Sequence, residues 1–329
     1  MKVAAVQMDA NPAPTGERLA RSERLVAEAA RAGARLVVLP ELFNSGYGYD
    51  GSAHGWAEPP DGPTVAWMRE AAARLGVYLA GSLLLRERGD VFNALLLFDP
   101  AGRAWRYDKS CPWGWERALF RGRRGVTIAH TELGDLGMLI CWDAGHRELW
   151  RQYAGRVDLM LLCSCPPDVP QAVFDFPGGN RVPMARIGSM ARLEGATERL
   201  FGDMVGQQTA WLGVPAVNSG GMGCIRTPLP HARANLLAFA LVAPWLIRHL
   251  RHAGQVRMSA DLFPSARVVG ADGRVLAQPT PQEETFAVAD VTLADEKPCP
   301  RELQPRSTQP WLAYLLSDAL LPLLSGRAR

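Results

Sequence analysis

A short apolar run ends at a cysteine in LGMLICWD, residues 136–143, and a helical pattern continues from there to Tyr153. The run predicts a buried strand over residues 136–140, which places Cys141 at the turn between a strand and a helix. Backbone N–H groups at such a turn can receive a developing oxyanion, and the helix N-terminus favours a thiolate. A buried structural cysteine is the alternative, and it is the commoner situation for a cysteine taken alone.

Strand-like and helical segments alternate on both sides of this stretch. Strands are predicted at residues 2–8, 35–40, 77–85, 91–98, 104–108, 157–162 and 214–217, and helices at residues 17–32, 64–75 and 198–211. The Asp272-Gly273 pair within residues 266–276 predicts a final hairpin. This alternation is typical of an α/β domain in which helices cover a sheet.

The composition favours a folded domain and excludes several classes of protein. Of the 329 residues 48% are hydrophobic, which is enough for a large core. The net charge of +3 gives no basic field for binding nucleic acid. Six cysteines without a recognisable secretory leader predict free thiols and a cytoplasmic location. No stretch reaches the roughly 18 uncharged apolar residues of a membrane-spanning helix.

Three charged residues stand beside or shortly after predicted strands, where α/β sheets commonly build their sites. Glu41 follows the strand at residues 35–40, Lys109 follows the strand at residues 104–108, and Glu116 comes seven residues later. A lysine near a thiolate would stabilise the anion and the oxygen of a tetrahedral intermediate, and Glu116 could keep that lysine charged and oriented. Each of the three, taken singly, is more often a solvated surface charge.

Taken together and in this order, these residues resemble the nitrilase superfamily of carbon–nitrogen hydrolases. The matching blocks are residues 40–42 (PEL), residues 107–109 (YDK) with Glu116, Arg117 and Phe120 behind them, and residues 137–143 (GMLICWD). The resemblance extends from residues 3–8 to the hairpin at residues 272–277, which is nearly the whole core. Each block is weak alone, and three in order make a specific signal. The fold it implies is α/β, a four-layer α-β-β-α sandwich.

The resemblance also implies catalytic roles. Glu41 would act as general base toward Cys141, then as acid toward the leaving amine, and then as base for water. Cys141 would form a thioester acyl-enzyme. Lys109 and the backbone N–H of Trp142 would hold the oxyanion, with Glu116 supporting Lys109. No metal and no organic cofactor is needed for this chemistry.

The residues around the site bear on the substrate. Trp113 and Trp115 predict a pocket with apolar or aromatic walls, and Trp142 and Asp143 are placed with them as substrate-binding residues. Asp143 is typical of the amidase and carbamoylase branches, whereas nitrilases usually carry glutamate there. Ser110-Cys111 depart from the histidine and apolar residue common after the lysine. A small-molecule amide or N-carbamoyl amine is therefore predicted as substrate, with an organic nitrile as the alternative.

Rival interpretations use other residues or no chemistry at all. His146 could pair with Cys141 as in a papain-like enzyme, but no oriented Asn or Asp partner is evident. Cys163 and Cys165 could suggest redox or metal chemistry, but a second Cys/His pair at zinc spacing is missing. A non-catalytic or membrane-associated scaffold of the same fold is the other alternative.

The predicted organisation is a hydrolase domain at residues 1–295 with an insertion at about 226–258, and a C-terminal extension at residues 296–329. The apolar run at residues 236–247 has basic flanks, and the apolar residues of 311–324 fall on one helical face. We expect the two segments to lie close together. Two accounts stay open. In the first, the segments pack in a homodimer or higher oligomer, or form a lid over the active site. In the second, they make peripheral contact with the inner face of an anionic membrane, from which an amphiphilic substrate would reach the site.

Overall fold

The computed structural model describes residues 1–48, 53–300 and 302–325, so the last residues of the predicted extension, 326–329, lie outside the described part. The strands are β1 (Lys2–Asp9), β2 (Leu36–Val38), β3 (Tyr78–Glu87), β4 (Asp90–Phe98), β5 (Ala104–Asp108), β6 (Ile128–Thr131), β7 (Gly134–Ile140), β8 (Leu159–Ser164), β9 (Val173–Phe176), β10 (Asn180–Pro183), β11 (Ala216–Met222), β12 (Cys224–Pro228), β13 (Arg257–Asp261), β14 (Arg267–Val269), β15 (Val275–Ala277) and β16 (Thr285–Asp290).

The helices alternate with these strands. The α-helices are α1 (Thr15–Arg31), α2 (Ala53–Trp56), α3 (Pro63–Leu75), α4 (Arg147–Tyr153), α5 (Ala196–Glu198), α6 (Val205–Leu212), α7 (Ala232–Ala240), α8 (Trp311–Tyr314) and α9 (Leu321–Ser325). Short 3₁₀ helices span Gly114–Ala118, Cys141–Gly145, Val169–Gln171, Met184–Arg186, Gly188–Leu193 and Pro244–Gln255. Two π-helical segments, Arg199–Met204 and Leu315–Leu320, join α5 to α6 and α8 to α9.

The main sheet has the strand order β5-β4-β3-β2-β1-β11-β8-β7-β6. Strand β1 lies at its centre and pairs in parallel with β2 and with β11, while β16 pairs antiparallel with the first part of β1. Strands β2 and β8 are buried on both faces, as strands are when helices cover a parallel sheet. The hairpin predicted from Asp272-Gly273 is present as β14 and β15.

Side chains of β1 alternate between two apolar cores. Val3 and Ala5 belong to the core between the two halves of the sheet, whereas Ala4, Val6 and Met8 pack with α1 and α3 on the outer face. The sheet folds over so that β3 contacts β8 and β4 contacts β7. The predicted α/β class and α-β-β-α layering are therefore confirmed, and the two β layers are halves of one hydrogen-bonded sheet.

A second, four-stranded antiparallel sheet was not predicted. Its order is β10-β9-β13-β12, and β12 and β13 frame the predicted insertion as the two arms of a long hairpin. The apolar run at residues 236–247 is not one helix, since α7 ends at Ala240 and a new helical segment starts at Pro244. Proline cannot donate the backbone hydrogen bond and disfavours helical backbone at the preceding residue, and Ala243 accordingly has φ −143°.

The C-terminal segment forms a continuous helical stretch over residues 311–325 that packs on its own chain. Its end, α9, contacts both α7 and the 3₁₀ helix Gly114–Ala118. The expectation that the insertion and the tail lie together is therefore confirmed. Among the described residues, no helix has the length and apolar character needed to cross a membrane.

Candidate active site

Strand ends bring the four candidate catalytic residues together. Glu41 follows β2, Lys109 follows β5, Cys141 follows β7, and Glu116 lies in the 3₁₀ helix Gly114–Ala118. Glu41, Lys109 and Glu116 are at most 2% exposed, so the alternative that each is a solvated surface charge is wrong.

Lys109 bridges the two glutamates. Its Nζ donates to Glu41 Oε1 at 2.8 Å and to Glu116 Oε2 at 2.8 Å. Burial alone would lower the pKa of Lys109, but the carboxylates of Glu116 and Glu41 raise it well above its ordinary value. The lysine is therefore a fixed cation, and two of its three protons are held by carboxylates.

Both carboxylates have further partners that the sequence analysis did not identify. Asn93 Nδ2 donates to Glu41 Oε1 at 2.8 Å, and the Tyr47 hydroxyl donates to Glu116 Oε1. The backbone N–H of Trp113 donates to Glu116 Oε2 at 2.7 Å. Asn93 is a polar residue within the apolar strand β4, which is the signal that could have found it.

The loop that carries Glu41 is held in place by hydrogen bonds with α1 and β3. The fully buried Arg18 of α1 donates from Nε to the carbonyl of Phe43 at 2.7 Å, and Ser82 Oγ accepts from the backbone N–H of Leu42 at 3.2 Å. Leu42 has φ +51°, a left-handed conformation that side chains rarely adopt. These contacts hold the strained turn in place and with it the carboxylate of Glu41.

Cys141 lies at a strained elbow. It has φ +47° and begins the 3₁₀ helix Cys141–Gly145, with β7 ending one residue earlier. Strain of this kind persists only where the surrounding structure over-determines it, and it is concentrated at functional sites. The predicted strand-to-helix turn is therefore present, although a 3₁₀ turn and a break at His146 precede α4.

The protonation states of Cys141 and Glu41 are set mainly by burial. Burial raises the pKa of the Cys141 thiol well above its ordinary range, and the negative charge of Glu41 adds to this while Lys109 opposes it. Burial thus dominates the pKa of Cys141, and the thiol is its resting form despite the expected preference of a helix N-terminus for thiolate. Burial also raises the pKa of Glu41 from 4.5 to about 7, against the opposing effect of Lys109.

A thiol beside a carboxylate of near-neutral pKa can act as a nucleophile, with the carboxylate as its base. The thiol of Cys141 interacts with the carboxyl group of Glu41. Glu41 Oε2 is buried without a hydrogen bond of normal geometry within the described part of the chain. This oxygen is therefore available to take a proton, and its pKa near 7 suits a general base at neutral pH.

Asp143 has a different place from the one predicted for it. It is fully buried and does not line the cavity at Cys141. Its Oδ2 accepts from the Tyr107 hydroxyl at 2.8 Å and from the N–H of Ile140 at 3.1 Å, and its Oδ1 accepts from the N–H of Cys111 at 2.7 Å. These contacts tie the Cys141 elbow to the segment after Lys109, so we correct its role from substrate contact to positioning.

The three predicted tryptophans do line a cavity that opens at Cys141. Its volume is about 100 Å³ and its walls are mostly apolar. Trp113 and Trp115 meet edge to face at 5.5 Å between ring centroids, and Trp142 packs against Tyr314 of the tail at 5.5 Å. The predicted aromatic wall is present, and the insertion and tail add Phe239, Leu316 and Leu321 to it.

The residues of the rival interpretations make other contacts in the described part of the chain. His146 lies against Trp142 and Tyr314, with Nδ1 3.3 Å from Glu148 Oε1, which makes it part of the packing under the tail. All six cysteines are free thiols. Within residues 1–48, 53–300 and 302–325, no group of three or more His, Cys, Asp or Glu side chains could hold a metal ion.

Comparison with known proteins connects this geometry to one family. A family model described as carbon-nitrogen hydrolase matches residues 2–176, just over half of the chain. A nitrilase of Pyrococcus abyssi is 29% identical over 147 residues, covering 44% of this chain and 56% of the relative. An omega-amidase of Danio rerio is 31% identical over 157 residues, covering 44% of this chain and 56% of the relative. The chain thus spans about half the length of the curated relatives it matches.

Solved structures resemble the fold over most of its length. An amidase from Nesterenkonia sp. superposes with a TM-score of 0.64 at 21% identity, covering 88% of this chain and 89% of the other. A CN-hydrolase superfamily protein from Xanthomonas campestris, whose structure holds an arsenic adduct in its active site, superposes with a TM-score of 0.62 at 19% identity. The superposition covers 88% of this chain and 89% of the other. Identities this low bear on the fold alone.

Proposed function

Because this chain belongs to the carbon–nitrogen hydrolase family, we propose that it is a cysteine-dependent hydrolase of a non-peptide carbon–nitrogen bond. One observation carries the proposal: Lys109 binds Glu41 and Glu116 at 2.8 Å each, buried beside the strained Cys141 that opens into a cavity. The arrangement supplies a nucleophile, a base with a pKa of about 7 and a fixed cation.

The first half-reaction forms a thioester. Glu41 removes the proton of the Cys141 thiol while sulfur attacks the substrate carbonyl carbon. The remaining proton of Lys109 Nζ and the backbone N–H of Trp142 stabilise the oxyanion. When the oxyanion collapses, the carbon–nitrogen bond breaks and the protonated Glu41 gives its proton to the departing amine.

The second half-reaction returns the enzyme to its resting state. Glu41 takes a proton from water, the hydroxide oxygen attacks the thioester carbon, and the carbon–sulfur bond breaks. The proton on Glu41 passes to the Cys141 sulfur, which leaves as a thiol of raised pKa. Lys109 holds the second oxyanion as it held the first, with Glu116 keeping the lysine in position.

Amide or N-carbamoyl amine hydrolysis is the predicted specificity. We expect the purified chain to release ammonia from at least one primary amide or N-carbamoyl amine and not from the matching nitrile, because Asp143 is typical of the amidase and carbamoylase branches. The measurement is ammonia release across a panel of amides, carbamoyl amines and nitriles of equal carbon number. The Cys141→Ala variant is the control for contaminating activity. Ammonia from nitriles alone would contradict the amide assignment.

The outer faces of the insertion and the tail form a surface that we propose contacts an anionic membrane. Leu241 is 85% exposed and Trp311 is 69% exposed, and both lie on segments that meet through α7 and α9. No Asp or Glu occurs between Asp203 and Asp261. The same interval carries these exposed arginines: Arg226, Arg233, Arg248, Arg251 and Arg257. Apolar side chains with a purely basic flank match the chemistry of a headgroup region, at about 1 kcal/mol per basic residue.

Vesicle co-sedimentation tests this surface. The chain is expected to pellet with phosphatidylserine-containing vesicles at low salt and far less with phosphatidylcholine alone, because the arginines need anionic partners. A double variant, Leu241→Asp with Trp311→Asp, is expected to stay in the supernatant. The exposed Leu276 of β15 lies outside both segments, so Leu276→Asp is the matched control. If the chain did not pellet but formed a dimer in solution, and the double variant were monomeric, the surface would be assigned to contact with a second copy of the chain.

A further inference from the structure

The residues that line the cavity at Cys141 indicate which kind of group the substrate carries next to the bond that is cleaved. It is several times larger than the space one water molecule needs, and its described lining includes no Asp, Glu, Lys, Arg or His. Besides the tryptophans, the wall includes apolar side chains such as Met184, Met190, Leu200 and Phe201. A charged group placed among them would lose its hydration without gaining a partner.

Most of the polar groups in the wall are already engaged within the protein. Tyr47 donates to Glu116, and Trp142 Nε1 donates to Asp318 at 3.0 Å. Trp115 Nε1 donates to Asn235 at 3.3 Å, and Gln309 Nε2 donates to the carbonyl of Ala196 at 2.9 Å. Few polar atoms in the wall are therefore left for a ligand, and the thiol of Cys141 is one of them.

Resting on the proposed function, we infer that this cavity binds the acyl group of the substrate, and that the acyl group is an uncharged alkyl or aryl chain. The acyl group stays bonded to Cys141 after the carbon–nitrogen bond breaks, whereas the amine must leave and water must enter. An acyl chain inside the apolar cavity leaves the other side of the thioester open for both. An ω-carboxylate on the chain would be buried unpaired.

A series of amides measures the inference. From acetamide to hexanamide kcat/KM is expected to rise by about fourfold per methylene, the factor for transferring that group out of water. The monoamide of adipic acid, which has a similar length and a terminal carboxylate, is expected to be at least about 100-fold poorer than hexanamide. N-hexylacetamide, with the alkyl chain on the amine side, should gain little over N-methylacetamide. The opposite preference would overturn the assignment of the acyl group.

A charge placed in the wall provides the matched variants. Leu316 lines the cavity, while its neighbour Leu315 is 36% exposed and does not. Leu316→Arg is expected to lower kcat/KM for hexanamide and to raise it for the adipic monoamide, because the guanidinium can pair with the carboxylate. Leu315→Arg should leave both values unchanged, with circular dichroism confirming the fold of each variant. Equal effects of the two variants would place the acyl chain elsewhere.

Binding to the Cys141→Ala variant separates this inference from the proposed function. Calorimetry should show affinity and a negative heat capacity change that both grow with the length of the amide. If the wild type hydrolysed none of the amides but this trend held, the function would fall and the apolar acyl cavity would stand. If the wild type cleaved acetamide and hexanamide equally and the variant bound them equally, the cavity inference would fall and the hydrolase would stand.

Discussion

Replacing Cys141 by alanine is expected to reduce hydrolysis to the uncatalysed background, a loss of at least about three orders of magnitude in turnover. The reason is that the proposed reaction passes through a covalent bond to sulfur, and neither Glu41 nor Lys109 can substitute for the nucleophile. Hydrolysis is measured as ammonia release on the best amide of the panel, with wild type and variant at equal concentration. Turnover close to that of the wild type would remove Cys141 from the mechanism.

Two controls separate lost chemistry from lost structure. Circular dichroism and the melting temperature of Cys141→Ala should stay near those of the wild type, because only one sulfur atom is removed and alanine keeps the backbone conformation that φ +47° demands. Rapid quenching of the wild type with substrate should show the mass of the acyl group on the peptide that contains Cys141. The other five thiols should stay unmodified, since Cys141 is the one cysteine among the described residues that line the cavity.

The sequence predicted those parts of the site that depend on local pattern. The apolar run before Cys141 is the strand β7, and Glu41 and Lys109 follow β2 and β5 as predicted. Strand ends are visible in a sequence because a buried strand is a short apolar run with a clear limit. Their placement at one edge of the sheet then follows from the fold class.

The remaining parts depend on contacts between distant segments. Asn93 lies 52 residues from its partner Glu41, and Tyr47 lies 69 residues from Glu116. The role of Asp143 changes from substrate contact to positioning because Tyr107, 36 residues earlier, occupies its carboxylate. No periodic pattern encodes such pairs, since each is fixed by how the layers stack.

The second sheet was missed for a related reason. Strands β9 and β10 are only four residues long, which is too short for a periodic pattern to distinguish them from loops. For the tail, the sequence left open packing in an oligomer, a lid over the active site, or contact with a membrane. In the structure Asp318 of the tail accepts from Trp142 Nε1 at 3.0 Å and from Arg117 at 3.2 Å, and the tail lines the cavity at Cys141 of its own chain.

Replacing Glu41 by glutamine is expected to lower turnover by about two orders of magnitude or more, because the amide cannot take the proton of the thiol. The wild type should also lose activity as the pH falls below about 7, where Glu41 becomes protonated. The measurement is kcat/KM between pH 5 and 9 for both proteins. The residual activity of Glu41→Gln should lack the step near pH 7, which separates loss of the base from general damage.

The same substitution is expected to leave stability unchanged or to increase it at pH 8. The pKa of Glu41 is raised from 4.5 to about 7, so between these values the folded protein binds more protons at this position than the unfolded chain. Stability therefore decreases as the pH rises through this window, and the ionised carboxylate is a net cost above it. Glutamine removes that charge, and its side-chain oxygen can still accept from Lys109 and Asn93. A Glu41→Gln variant that is less active than the wild type but no less stable at pH 8 would show that Glu41 serves catalysis and not stability.

Glu116→Gln is the comparison that tests the division of roles. Glu116 Oε2 accepts from Lys109 and from the backbone N–H of Trp113, so in the proposed mechanism it positions the lysine without exchanging a proton with the substrate. Its substitution should therefore cost less turnover than Glu41→Gln and should leave the step near pH 7 in place. If Glu116→Gln were the more damaging change and abolished that step, the general base would be Glu116. Glu41 would then be the residue that holds Lys109, because the two carboxylates share the same cation at the same distance.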